Sequence, residues 1–121
     1  VIVMSGTVLY HDIHETLGRN HFQAHPSMSD EELETSDIAR LGDTLANRVE
    51  YQEADEWIGS VINQLESSRS YSVREFMHLL GRELAEIAQE DGLMTSAYKA
   101  RIPVYCPDIL NSELSVGIAR A

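Results

Sequence analysis

Val1-Ile2-Val3-Met4-Ser5-Gly6-Thr7 opens on apolar, mostly β-branched residues and closes on a small-residue turn. A short apolar run of this kind suits a strand covered on both faces, as in a parallel sheet. Ile102-Pro103-Val104-Tyr105-Cys106-Pro107 is a second such run. Pro103 sits near its start, where a missing N–H is tolerated, and Pro107 stops it. A third strand is placed over residues 44–49. Between these runs the apolar residues recur at helical spacing, so the fold class is α/β, a parallel sheet flanked by helices.

A helix is expected to begin near Tyr10 or His11 and to end at Gly18, a good left-handed C-terminal residue, with Ile13 and Leu17 facing the sheet. Residues 19–52 are weakly patterned. Ser29-Asp30-Glu31-Glu32 has capping-box spacing, and Ile38, Leu41 and Leu45 read as partly buried turns. Ala54, Trp57, Ile58, Val61, Ile62 and Leu65 mark one face of a helix, with Asp55 and Glu56 in its first turn. Ser72 caps the next helix, whose buried stripe is Phe76, Met77, Leu80, Leu84 and Ile87 and whose end is Gly92. A short helix over residues 94–99 follows, and Asn111 or Ser112 opens a last one running to Ala121. Residues 1–121 form a single segment that starts in a strand and ends in a helix. The expectation is that further strands come from other residues or another chain, as part of a larger nucleotide-binding domain.

The chain has 121 residues and a formal net charge of −11. That balance opposes binding to nucleic acid or to an anionic membrane, both of which need Lys and Arg. A solvated acidic face accounts for most of it, and clustered carboxylates would also attract a polycation. No apolar run reaches the length of a membrane span, and a single cysteine, Cys106, makes no internal disulfide. A cytoplasmic protein is expected.

Three places carry candidate chemistry. Ser5-Gly6-Thr7 lies at the carboxyl end of a parallel strand, where ligands of such sheets bind, and Gly6 would let a phosphate or ribose approach the backbone. Asp108, Asn111, Ser112, Glu113 and Ser115 crowd the end of the second strand, where they serve as caps or contact ribose or an amine. His11 and His14 lie one turn apart, and His21 and His25 follow. They lack a third ligand at a recognised spacing, so no metal is assigned. Cys106 has no basic neighbours and reads as a small buried hydrophobe.

Taken together, Val3–Asp12, Ile38-Ala39-Arg40-Leu41-Gly42-Asp43, Tyr51–Trp57, the run from Ser72 to Leu84, and above all Ile102–Pro107 resemble the deoxyhypusine synthase family over nearly the whole chain. The resemblance implies a partial Rossmann-like fold, NAD as cofactor, and a homo-oligomer, dimer or tetramer. It implies an NAD-dependent transferase that oxidises spermidine and passes its aminobutyl group to a lysine (the route to hypusine) or to another amine. By resemblance Ser5, Gly6 and Thr7, with His11, Asn111 and Glu113, fall at NAD-contacting positions. Asn111 stands where better-known members carry Asp, and Val116 replaces an acidic residue used for the polyamine. The family's catalytic lysine lies in a region C-terminal to the matched part, and the lone Lys99 has no matching role, so no catalytic residue is assigned. The alternative is a non-catalytic nucleotide-binding, regulatory or assembly module that pairs with a full-length relative.

Overall fold

The computed structural model describes residues 1–121. Strand β1 (Ile2–Val3) leads directly into helix α1 (Gly6–Thr16). The helix opens at Gly6 rather than near Tyr10, because Ser5 acts as its N-cap and accepts the Val8 N–H. The small residues read as a turn are therefore the first turn of the helix. At its other end Gly18 adopts φ +84°, as expected of a left-handed C-terminal residue. The Gly18 and Arg19 amides close the helix on the Glu15 and His14 carbonyls.

The weakly patterned middle is more regular than its sequence implies. It holds β2 (Phe22–Gln23), α2 (Asp30–Thr35), β3 (Ile38–Leu41) and β4 (Thr44–Asn47). Ser29 and Glu32 form the expected capping box. The expected turns at Ile38 and Leu41 are instead β3. The strand placed at 44–49 exists, but it is not part of a parallel sheet: β4 lies between β2 and β3, antiparallel to both. Gly42 (φ +66°) turns β3 into β4. Strands this short, only partly buried, leave no clean alternation to read.

Helix α3 (Arg48–Asn63) is capped by the Asn47 side chain, which accepts the Val49 N–H. It starts earlier than expected, so Asp55 lies in mid-helix and is buried rather than in the first turn. Helix α4 (Val73–Ile87) carries the expected Ser72–Glu75 capping box. Phe76, Met77, Leu80 and Leu84 are buried, whereas Ile87 is exposed at the helix end. Gly92 does not end α4; it precedes α5 (Leu93–Lys99), where Thr95 accepts its N–H. Strand β5 (Val104–Tyr105), a 3₁₀ turn (Ile109–Asn111) and α6 (Leu114–Ala119) complete the chain. Leu9 and Ile13 of α1, Ile58 of α3, Leu80 of α4, Met94 of α5 and Leu114 of α6 meet in one core, with Trp57 packed at its margin.

β1 and β5 pair in parallel, Ile2 beside Val104 and Val3 beside Tyr105. The expected parallel sheet thus consists of two strands, and the fold is a mixed α/β arrangement of one parallel and one antiparallel sheet. Val3 and Tyr105 are both exposed. The pairing sets the carboxyl ends of the two strands side by side.

Candidate functional site at the paired strand ends

Asp108 stitches the two strand ends together. Its Oδ1 accepts the Gly6 N–H at 2.9 Å and lies 3.5 Å from the Cys106 thiol. Burial, followed by the hydrogen bond to Asp108, pushes that thiol up to about 11, so Cys106 is an inert, buried group. Thr7 Oγ1 donates to Glu113 Oε2 at 2.7 Å. A Cβ on Gly6 would stand 2.5 Å from Ser112 Cβ and closer still to its Oγ. The absent side chain of Gly6 therefore makes room for Ser112, not for an open approach to a ligand. With the Gly6 amide held by Asp108 and the Val8 amide by Ser5, the Thr7 amide is the first-turn donor without a partner in the protein.

One turn along α1 a ring cluster begins. His21 Nδ1 lies 2.7 Å from Glu15 Oε1, and its Nε2 lies 3.1 Å from His11 Nδ1 and 3.2 Å from the Tyr51 hydroxyl. A carboxylate only accepts, so His21 donates from Nδ1 and, when neutral, accepts at Nε2. That polarity leaves the proton of His11 on Nδ1 and its Nε2 bare. Burial and the neighbouring His21 lower the His11 pKa, opposed by the Glu113 and Glu15 carboxylates. Burial and then Glu113 push Tyr51 up to about 12. Glu113 thus acts electrostatically on both the strand-end site and the ring cluster. Deeper in, the Tyr10 hydroxyl donates to Asp55 Oδ1 at 2.9 Å, and Arg120 lies 3.3 Å from the other carboxylate oxygen. Burial drives Tyr10 well above the ordinary phenol range and raises Asp55.

His14 is fully buried and neither ring nitrogen has a hydrogen-bond partner. Burial first, then the neighbouring His21 and His11, lower it from 6.5 to about 4. Between those pH values the unfolded chain takes a proton at this position that the folded chain refuses. Acidification from pH 6.5 toward 4 should therefore cost up to about 3 kcal/mol through His14, with no further loss below. His14→Leu is expected to remove this component and to stabilise the chain at neutral pH by about 1–3 kcal/mol, since it deletes an unsatisfied buried polar group. Urea midpoints measured across that pH range for both proteins test it. Parallel curves would show that His14 does not govern the acid response.

Of the residues singled out in the sequence, Ser5, Gly6, Thr7 and Glu113 come together at the strand ends, and His11 lies one turn along the same helix. Asn111 closes the 3₁₀ turn above them, exposed, with its amide on the Asp108 carbonyl. His11, His14 and His21 gather in one cluster, while His25 stands apart beside Ser27. No group of three or more His, Cys, Asp or Glu is arranged to hold a metal ion. Sequence reasoning did not find Tyr10, Tyr51, Asp55 or the connecting role of Asp108. Asp55 resembles a first-turn acid when α3 is started near Ala54, and Tyr10 resembles a helix-opening residue when α1 is started there; the observed starts at Arg48 and Gly6 bury both. Correct placement of Ser5 and Asn47 as N-caps would have set Tyr10 and Asp55 on buried helix faces.

The chain is a mixed α/β fold in which polar side chains gather at the carboxyl ends of two parallel strands. The sequence matches the family described as deoxyhypusine synthase over residues 1–120. It is 36% identical over 121 residues to the probable deoxyhypusine synthase 2 of Methanosarcina mazei, covering 99% of this chain and 35% of that protein. It is 32% identical over 120 residues to a deoxyhypusine synthase-like protein of Coxiella burnetii, covering 98% of this chain and 34% of that one. A probable deoxyhypusine synthase 2 of Archaeoglobus fulgidus is 31% identical over 121 residues, covering 100% and 39%. The chain belongs to the deoxyhypusine synthase family and spans about a third of the length of these relatives. No helix is long and apolar enough to cross a membrane.

Proposed function

We propose that this chain contributes part of the NAD site of a deoxyhypusine synthase-like, spermidine-using aminobutyl transferase with a Rossmann-like sheet, acting as a cytoplasmic homo-oligomer. The observation that carries the reading is the Thr7–Glu113 hydrogen bond beside the Asp108–Gly6 contact at the paired strand ends, with Asn111 exposed in the turn between Asp108 and Glu113. The residues fit such a cofactor: the free Thr7 amide suits an anionic or carbonyl oxygen, and the Glu113 carboxylate and Asn111 amide suit ribose hydroxyls. Ser5 and Gly6 serve the site by fixing the start of α1. When bound, NAD supplies a hydride acceptor for the carbon that carries the amine. Toward that chemistry, His11 stays neutral and offers Nε2 to a proton. Glu113 holds negative charge close to where a polyamine would approach.

Lys99 is paired with Asp91 at 2.6 Å, beyond the opposite end of β5, and is given no part in group transfer. The exposed side chains of Val3 and Tyr105, paired neighbours on one face of the parallel strands, favour a second reading, a non-catalytic assembly module that packs this face against a full-length relative. Thermal midpoints in an NAD titration separate the two. A ligand at a hundred times its Kd adds about 2.7 kcal/mol to folding stability. The expected result is a saturable rise for the parent chain that Asn111→Ala and Glu113→Ala both reduce. A rise that ignores both substitutions would remove the strand ends as the NAD site. No rise at millimolar NAD would leave the assembly module as the better account.

A further inference from the structure

A well-formed cavity lies away from the strand-end site. About 810 Å³ in volume, it opens beside the amino end of β5, between the start of α4 and the end of α5. Met77, Met94 and Val104 line its apolar part. A Cβ on Gly81 would meet the Met94 carbonyl oxygen at 2.9 Å, so α4 and α5 are in close contact and the wall is already formed. His78 and Tyr98 add two rings with centroids 5.1 Å apart.

Its rim concentrates positive charge in an acidic chain. Arg69, Arg74, Lys99 and Arg101 line it, four of the nine Lys and Arg residues. Two are already answered: Arg69 lies 3.2 Å from Glu75, and Lys99 lies 2.6 Å from Asp91. Glu75, taken down to about 2 first by its hydrogen bonds to Ser72 and then by Arg69, is committed to its cap. Arg74 and Arg101 make no ion pair and no side-chain hydrogen bond, and both are exposed at the cavity mouth.

Arg101 also occupies a costly backbone position. Its φ is +56°, and its amide and that of Ile102 close α5 on the Tyr98 and Ala97 carbonyls. This is the left-handed C-terminal position that glycine fills with least strain. A guanidinium held there against backbone preference points to a use for the side chain.

We propose that this cavity binds a small organic anion, a phosphate monoester on an aromatic body. Arg74 and Arg101 take the phosphate oxygens in the forked geometry guanidinium favours, and the ring enters toward Tyr98 and the methionines. The volume is that of a typical small-ligand site. The proposal is independent of NAD at the opposite end of the strands.

Phenyl phosphate is the probe, added in low-salt buffer to the isotope-labelled chain while amide resonances are followed. Saturable shifts confined to residues 74–79 and 98–104 are expected. Arg74→Gln should weaken the affinity roughly tenfold or more, the effect of losing a charge-assisted hydrogen bond, at an unchanged thermal midpoint. Arg101→Gly should weaken it comparably while raising the midpoint, a combination that a purely structural role does not produce. The proposal is overturned if no saturable shifts appear, if they centre on Thr7 and Asn111 instead, or if Arg101→Gly binds the probe like the parent.

Discussion

Gly6→Val is expected to destabilise the chain by about 3 kcal/mol or more, and Gly6→Ala by about 1–3 kcal/mol. By helix propensity alone Gly6→Ala should be favourable, since Ala outranks Gly. The expected loss comes from Ser112, whose Cβ lies 2.5 Å from where the new Cβ must go, and from Cys106 Sγ at 3.3 Å. Ser112 cannot retreat freely, because its Oγ donates to the Ile109 carbonyl at 3.0 Å and its own carbonyl accepts from Ser115. Displacing it would break the Asp108–Gly6 and Thr7–Glu113 bonds that hold the strand ends in register. Ser112→Gly should therefore recover much of the Gly6→Ala loss, giving a coupling energy above about 0.5 kcal/mol in a double-mutant cycle by urea denaturation. A neutral Gly6→Ala, or losses that simply add, would show that the two strand ends are not packed as described.

Asp12→Ala is expected to cost about 3 kcal/mol. Asp12 sits on α1, yet its two carboxylate oxygens accept the Leu93 and Met94 amides at 2.6 and 2.9 Å, capping α5 from across the molecule. Each is a hydrogen bond to a charged acceptor, and removing it leaves a donor of the first turn of α5 unsatisfied. Asp12→Asn keeps one acceptor oxygen but turns an NH2 donor toward the other amide, so it should recover little of the loss. Hydrogen exchange adds a local signature: amides of 96–100 should lose protection in Asp12→Ala more than those of 77–84. Uniform loss would mean that Asp12 stabilises the chain as a whole and not through α5.

The elements legible in the sequence were those whose signal is local and repeated. Capping boxes at Ser29 and Ser72 gave the starts of two helices, and Gly18 gave the end of another. The two apolar runs that became β1 and β5 paired in parallel as their composition implies. The antiparallel sheet was not legible, because β2 is two exposed residues and β3 is only partly buried. A strand stabilised by its neighbours carries little of its own pattern. The α1 start was lost for a different reason: Ser-Gly-Thr reads equally as a turn or as a cap with its first turn, and only the covering Asp108 decides between them. Asp12 is likewise invisible as a cap, since its partners are far along the chain.

The site was legible in its members and not in its wiring. Ser5, Gly6, Thr7 and Glu113 were placed together by resemblance, and the structure gathers them. Gly6, however, is occupied on both counts, its amide by Asp108 and its open side by Ser112. In the proposed NAD site the Thr7 amide and the Asn111 and Glu113 side chains are the polar groups best placed to reach the cofactor, with the exposed Ser5 hydroxyl and His11 beside them. Glu113 links this group to a histidine–tyrosine cluster that no spacing rule announces, because His21 reaches His11 and Tyr51 from separate segments.

Amide mapping of the isotope-labelled chain during an NAD titration tests the strand-end site most directly. The account predicts saturable shifts centred on Thr7, His11, Asn111 and Glu113, weakened by Glu113→Ala without loss of the fold. Shifts confined to the cavity around Arg74 and Arg101, or none at millimolar NAD, would contradict a cofactor half-site at the paired strand ends.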